Sequence, residues 1–221
     1  MSEIRNIPRL RFPEFHEEWK TVRFKDILLN SRLGGNYSNS EEISAFPLIK
    51  MGNLDRGRIK LDKLEFVKEI ENLNPEDLIQ EGDLFFNTRN TLELVGKVAI
   101  WRNELPVAYY NSNLMKIDFE ENRFMNYRLN SFSGIKKLRR IATGTTSVAA
   151  IYTKDLLKIS ISIPILSEQQ KISDFLTSVD KRIELLEKKK TLLETYKKGV
   201  MKKIFNQEIR FKDENGNDFP D

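Results

Sequence analysis

The sequence predicts an α+β fold: an irregular, mixed-sheet body over residues 1–165, a long coiled-coil helix over 166–206 and a tail over 207–221. Three observations carry that prediction. Short apolar runs broken by turn residues fill most of the first 165 positions. From Ile172 onward, apolar residues recur at every seventh position: Val179, Leu186, Leu193 and Val200. No Pro or Gly interrupts the stretch from Ser167 until Gly199.

The elements follow in order. Residues 1–20 are a polar lead ending in Phe12, Phe15 and Trp19. An amphipathic piece covers 22–29, and a Gly/Asn/Ser loop covers 31–40. Strand signals come next at irregular spacing: 46–51 ending at Gly52-Asn53, an alternating run over 59–67, Leu84-Phe85-Phe86 opened by Gly82-Asp83, then 95–101 and 113–117. Helical patterns cover 122–132 and 134–142. Gly144-Thr145-Thr146-Ser147 reads as a polar loop, and Ile159, Ile161 and Ile163 alternate with serines into Pro164 as one more strand.

The helix has its own signals. Ser167 with Gln170 three residues on forms a capping box, and Glu168 suits the positive end of the helix dipole. A second row stands four residues after the first: Leu176, Ile183, then Lys190 and Lys197, then Ile204. Together Ile172, Leu176, Val179, Ile183, Leu186, Leu193, Val200 and Ile204 make a heptad seam fit for a partner helix. A helix from Ser167 to Phe205 measures roughly 58 Å at about 1.5 Å per residue. A body of this size spans only about 30–40 Å, so part of the seam is expected to outrun it and need another helix. The tail, with Arg210-Phe211 and later Phe219, weakly echoes Arg11-Phe12 and Phe15 at the start, as though a second copy of the unit began there.

Composition narrows the chemistry. No cysteine is present, which excludes disulfides, thiolate metal sites and thiol nucleophiles. The single histidine, His16, reads as a surface residue beside two aromatics, with no second ligand or nucleophile near it in the sequence. No segment approaches the ~18 apolar residues of a membrane span, and the start has no apolar signal core, so a soluble cytoplasmic protein is expected. The net charge is +4, from 37 basic and 33 acidic residues. Residues 167–206 hold ten basic against six acidic residues, so the rest of the chain is neutral at 27 against 27. If the body binds DNA, its positive charge must be gathered on one face.

Several motifs together resemble a known family. They are the Arg11-Phe12-Pro13-x-Phe15-x-x-x-Trp19 opening, Pro47 to Asn53, Gly82-Asp83-Leu84 and Gly96-Lys97-Val98-Ala99. Gly144-Thr145-Thr146-Ser147, Leu156-Leu157-Lys158-Ile159 and Ile163-Pro164-Ile165-Leu166-Ser167-Glu168-Gln169-Gln170-Lys171-Ile172 complete the set. This chain resembles the specificity subunit of type I restriction-modification enzymes, most specifically in the Pro-x-x-x-Glu-Gln-x-x-Ile entry to the helix. The resemblance implies two recognition domains per subunit, each followed by a conserved helix, the helices pairing antiparallel as a spacer. One such unit is seen here, a half-subunit expected to form a homodimer. The implied partners are double-stranded DNA, modification (methyltransferase) subunits and restriction subunits. No cofactor is expected in this chain; S-adenosylmethionine, ATP and magnesium are expected on the partner subunits. The sequence holds no Walker loop and no Pro-Pro pair of the adenine-methylase type, so a non-catalytic DNA reader is expected. The competing expectation is a coiled-coil interaction adaptor that makes no DNA contact.

Base reading needs donor and acceptor side chains on exposed loops. Asn87, Thr88, Arg89 and Asn90 follow an apolar run and supply both types. Thr143-Gly144-Thr145-Thr146-Ser147 offers hydroxyls and backbone N–H groups suited to phosphate, or alternatively a cap. Lys136, Lys137, Arg139 and Arg140 form a basic stripe opposite Ile135, Leu138 and Ile141. Lys50, Asn53, Arg56 and Arg58 are the weakest set, because Asp55 and Asp62 stand ready to pair with them. Tyr110 and Asn111 could line the same face, whereas Tyr109 reads as core.

Overall fold

The structure, a computed structural model, describes residues 7–68 and 73–217. Residues 218–221, including the second Phe of the tail echo, lie outside the described residues. The chain divides into two units, residues 1–173 and 174–221, the division falling inside the long helix.

The first unit is built on a four-stranded sheet. Its strands are β2 (Asn30–Leu33), β6 (Leu84–Asn87), β8 (Val98–Ile100) and β10 (Leu114–Asp118), in the order β2-β10-β6-β8, all antiparallel. The apolar run Leu84-Phe85-Phe86 is continuous because β6 is covered on both faces. Leu84 and Phe86 enter one core with Val98, Met115 and Ile117, while Phe85 enters a second with Ala99, Trp101 and Tyr110. All three residues of the run are fully buried. Helix α2 (Asn122–Asn130) closes the first core with Phe124, Met125 and Leu129.

Smaller sheets surround this one. β1 (Lys20–Arg23) pairs antiparallel with β13 (Ser160–Ile163). β3 (Asn39–Ser40), β5 (Glu65–Val67), β4 (Pro47–Ile49) and β9 (Tyr109–Tyr110) form a second four-stranded sheet whose β4–β9 pair is parallel. A three-stranded sheet joins β11 (Thr143–Gly144), β12 (Ala149–Ala150) and β7 (Arg89–Asn90).

The expected order of elements holds with local departures. The amphipathic piece at 22–29 is strand β1 followed by one helical turn, α1 (Phe24–Ile27), with Phe24 buried. The expected loop at 31–40 contains most of β2 and all of β3, because distant strands supply their ladders: Leu33 opposes Met115 and Asn39 opposes Val67. The two helical patterns separate at Ser131, whose side chain caps α3 (Phe132–Ile141) by accepting from Gly134 N at 3.2 Å. A short helix, α4 (Thr153–Leu156), precedes β13.

The long helix, α5, runs from Leu166 to Phe205. It begins one residue before the expected cap, so Ser167 lies within its first turn. Glu168 does more than face the helix dipole. It is completely buried and receives Arg11 Nε at 2.8 Å, Arg11 Nη2 at 2.6 Å and Trp19 Nε1 at 3.2 Å. Gln169 Nε2 donates to Pro164 O at 2.9 Å, and Lys171 Nζ pairs with Glu14 at 2.9 Å. The Arg-Phe-Pro opening and the Pro-x-x-x-Glu-Gln motif therefore lock one another. Among the described residues no helix is long and apolar enough to cross a membrane.

A buried polar network braces the second sheet. Asp77 accepts the Tyr37 hydroxyl and takes Arg32 Nη2 at 2.8 Å. Burial raises the Tyr37 hydroxyl to about 12, helped by its bond to Asp77, and burial likewise raises Tyr110 to about 12. Both folded values exceed the ordinary tyrosine value of about 10. Each group therefore contributes stability that is fully present below about pH 10 and is lost as pH rises toward about 12. Urea denaturation at about pH 9 and about pH 11 is expected to show this loss. A Tyr37→Phe, Tyr110→Phe double variant should lose less between the same two pH values; an identical loss would refute the assignment.

Candidate nucleic-acid interface

Two segments far apart in sequence meet in the three-stranded sheet. Arg89 and Asn90 in β7 pair with Ala150 and Ala149 in β12, and β12 pairs with β11. The polar stretch 145–148 is thus the turn of a hairpin. Its ring is closed by Thr145 N to Val148 O at 2.9 Å and Val148 N to Thr145 Oγ1 at 3.2 Å. Gly144 is required here: its φ is +124°, and a Cβ would meet Val148 O at 2.3 Å. Leu92 N donates to Thr146 O at 3.0 Å, which ties the segment after β7 to the hairpin turn.

Within this group the expected readers differ in availability. Arg89 is exposed, and its guanidinium has no partner among the described residues. Asn90 is half-buried, and its Oδ1 accepts from Thr91 N at 2.8 Å. Thr88 Oγ1 is bound to Asn113 O at 3.2 Å. Asn87 is wholly buried with its Oδ1 on Arg89 N at 3.0 Å, so it shapes the strand and cannot offer an amide to a base. Thr145, Thr146 and Ser147 are exposed, with Thr145 and Ser147 hydroxyls 3.2 Å apart. With Thr91 and Glu93 they line an open hollow.

The basic stripe on α3 divides in the same way. Lys136 and Arg140 are exposed with no partner among the described residues. Lys137 points the other way, donating to Ser160 O, and burial and then the Arg128 charge lower its pKa. Arg139 Nη2 donates to Glu93 O at 3.0 Å, and Arg56 Nη2 reaches the same carbonyl at 3.4 Å. Burial, then the Arg139 charge, lowers the Arg56 pKa. Arg56, Phe132, Ile135, Lys136, Arg139 and Arg140 line a second hollow.

Two candidates on the 50–58 segment, Asn53 and Lys50, are engaged within the chain, and Asp55 pairs with Arg58 as expected. Asn53 is buried and braces a turn, accepting from Lys50 N at 3.0 Å and donating to Lys60 O at 3.0 Å. Lys50 is held by Glu65 at 2.8 Å and Asn39 at 3.3 Å. Asp55 pairs with Lys60 at 2.7 Å and Arg58 at 3.9 Å, which leaves Arg56 without a carboxylate. Tyr110 and Asn111 are buried and do not line the face. His16 is exposed, as expected. No group of three or more His, Asp or Glu residues placed to hold a metal occurs among the described residues.

A further basic hollow, invisible to sequence reading, is lined by Arg23, Lys25, Leu157, Lys158 and Ser160. Its cations come from two stretches far apart in sequence, which the β1–β13 pairing and the bond from Lys25 N to Leu157 O bring together. Along α5 the seam is open in this chain: Val179, Ile183, Leu186 and Leu193 are 39%, 46%, 51% and 56% exposed. Ile172, Leu176, Val200 and Ile204 are half-buried.

Comparison with known proteins agrees with this architecture. Residues 16–195 match the family described as type I restriction modification DNA specificity domain. The chain is 26% identical over 212 residues to a putative type I restriction enzyme MjaX specificity subunit of Methanocaldococcus jannaschii, covering 92% of this chain and 49% of that protein. It is also 26% identical over 222 residues to the MjaVIII specificity subunit of the same organism, covering 96% and 51%. The fold resembles a crystal structure of a type I restriction-modification S subunit from M. genitalium, with a TM-score of 0.58 at 16% identity over 88% of this chain and 46% of that one. The chain spans about half the length of the curated relatives it matches. With 180 of 221 residues inside the match, the chain belongs to the type I restriction modification DNA specificity domain family.

Proposed function

We propose that this chain is a non-catalytic reader of one half of a bipartite DNA site, working within a type I restriction-modification assembly. The observation that carries the reading is the sheet that sets unpartnered Arg89 beside the Thr145–Ser147 hairpin turn, next to the uncompensated cations of α3. Arg89 has the fork geometry that reads guanine in a major groove, and Asn90 has the amide that reads adenine. The hairpin hydroxyls and Lys136, Arg140 and Arg139 serve the backbone. Methyltransferase and restriction subunits are the partners, and S-adenosylmethionine, ATP and magnesium belong to them. A cytoplasmic setting follows from that work.

Helix α5 is the spacer and dimerisation element. A second copy of the chain is the occupant its seam fits best, in antiparallel array. Residues 167–186 carry three basic and four acidic residues, whereas 187–206 carry seven and two. Antiparallel pairing lays the basic half on the slightly acidic half; parallel pairing would stack two basic halves. The result is a two-fold dimer with two readers held about 17 base pairs apart, at about 1.5 Å per helical residue and 3.4 Å per base pair.

Fluorescence anisotropy on a library of methylated and unmethylated duplexes tests the reading. The chain should bind with a steep salt dependence and prefer some sequences. Arg89→Ala should relax preference at one base position by about 1–3 kcal/mol while leaving binding to other sequences nearly unchanged. No duplex binding at low salt would instead favour an adaptor held together by its helix alone.

A further inference from the structure

The most unusual electrostatic feature of the first unit is a pair of guanidiniums hung on one neutral acceptor. Arg139 Nη2 and Arg56 Nη2 both donate to the Glu93 carbonyl, at 3.0 and 3.4 Å. Neither has an ion pair with a carboxylate among the described residues. The nearest acid in sequence, Asp55, is paired with Lys60 at 2.7 Å and Arg58 at 3.9 Å and acts on Arg56 through its charge, without an ion-pair contact. Lys136 and Arg140 add two more unpartnered cations to the same hollow. Two like charges drawn together by one carbonyl repel each other, and burial of Arg56 adds to the cost. An anion with several oxygens would relieve both, because each guanidinium presents further N–H groups in a fixed fork.

The position favours a phosphodiester. The carbonyl that collects the two arginines belongs to Glu93, and Leu92, its neighbour, donates to Thr146 in the hairpin turn. Glu93 also lines the hollow on the hairpin side. Its carboxylate is exposed and is the one acid among the residues lining the two hollows. The arginine hollow also has two apolar lining residues, half-buried Ile135 and Phe132, which is 85% exposed. That combination suits a sugar-phosphate strand, with an apolar surface for the deoxyribose and cations for the phosphate.

We infer that Arg56 and Arg139 form a two-pronged clamp for a single backbone phosphate of DNA, adjoining the hairpin that pairs with the strand of the base-reading Arg89. The inference rests on the DNA reading above and adds one assigned phosphate contact to it. Arg56 acts here from a segment that is otherwise structural, since Asn53 and Lys50 are both engaged internally.

The test is a salt titration of binding to a fluorescein-labelled random duplex, for the wild-type chain, Arg56→Gln with Arg139→Gln, and Arg56→Lys with Arg139→Lys. The glutamine pair should lose about 10- to 100-fold in affinity. It should also lower the slope of log affinity against log salt by about 0.9, the share of one neutralised phosphate. Sequence preference should not change. The lysine pair should keep the slope and lose part of the affinity, because charge remains while the fork is gone. If the glutamine pair fails to fold by circular dichroism, the lysine pair decides: unchanged affinity overturns the clamp. A folded glutamine pair with wild-type slope and affinity overturns it too. A wild-type chain that binds no duplex at low salt overturns the DNA reading itself, which is a different outcome from losing the clamp. A glutamine pair that loses only binding to a polyglutamate peptide would also overturn the assignment.

Discussion

Asp77→Ala is expected to destabilise the first unit by about 3–5 kcal/mol, the usual cost of removing one partner from a buried ion pair. Asp77 is 1% exposed; its Oδ2 accepts the Tyr37 hydroxyl, and its Oδ1, which has no hydrogen bond, forms an ion pair with Arg32 Nη2 at 2.8 Å. Arg32 has little else to turn to: Nη1 is buried without a partner, and Nε reaches Glu76 only at 3.5 Å. Truncating Asp77 therefore leaves a guanidinium without its counter-charge and a buried hydroxyl without its acceptor. Asn74 N donates to that hydroxyl at 3.1 Å, so the 3-10 turn Pro75–Asp77 loosens as well. Urea unfolding followed by circular dichroism measures the loss. Asp77→Asn keeps the shape and one acceptor and should cost clearly less. Equal losses for the two variants would mean that charge is irrelevant to this network.

Leu186→Glu combined with Leu193→Glu should convert the proposed dimer to a monomer. Both leucines are more than half exposed in the isolated chain and lie on the seam. Burial of a leucine side chain contributes about 1.5–3 kcal/mol, so four leucines at a two-fold interface account for roughly 6–12 kcal/mol. Removing even the lower figure weakens association by about 10⁴-fold. Light scattering at tens of micromolar, in the range where the wild-type chain is expected as a dimer, should give a monomer mass. The first unit should retain its melting temperature, because these positions lie in the second unit. A wild-type chain that is already monomeric at that concentration would remove the dimer from the proposal.

The sequence made the repeating parts of this protein readable and concealed the parts made by distant neighbours. The run Leu84-Phe85-Phe86 declares a strand, and it is one, buried along its whole length. The seven-residue repeat from Ile172 declares the helix, whose extent matches to within a residue or two at its start. By contrast, β2 and β3 are polar, and their pairing comes from Met115 and Val67, far along the chain. Asn53 and Asn87 have the same side chain as Asn90, and only burial separates turn braces from an available amide. Arg56 looked neutralised because Asp55 stands beside it, yet Lys60 holds that carboxylate more closely. Glu168 looked like a dipole contact because its true partner, Arg11, is 157 residues away in sequence.

The joint made by Arg11, Trp19 and Glu168, together with the ribbon of β1 against β13, means that the chain enters and leaves the recognition body at a single doorway. Everything between Arg23 and Ser160 is threaded through that doorway, and it stays tied to the frame through Trp19 against Phe124 and Arg128 Nε on Ser162 O. A cut or substitution at Arg11, Trp19 or Glu168 therefore loosens both ends of that loop of chain at once, although the two ends are 149 to 157 residues apart in sequence.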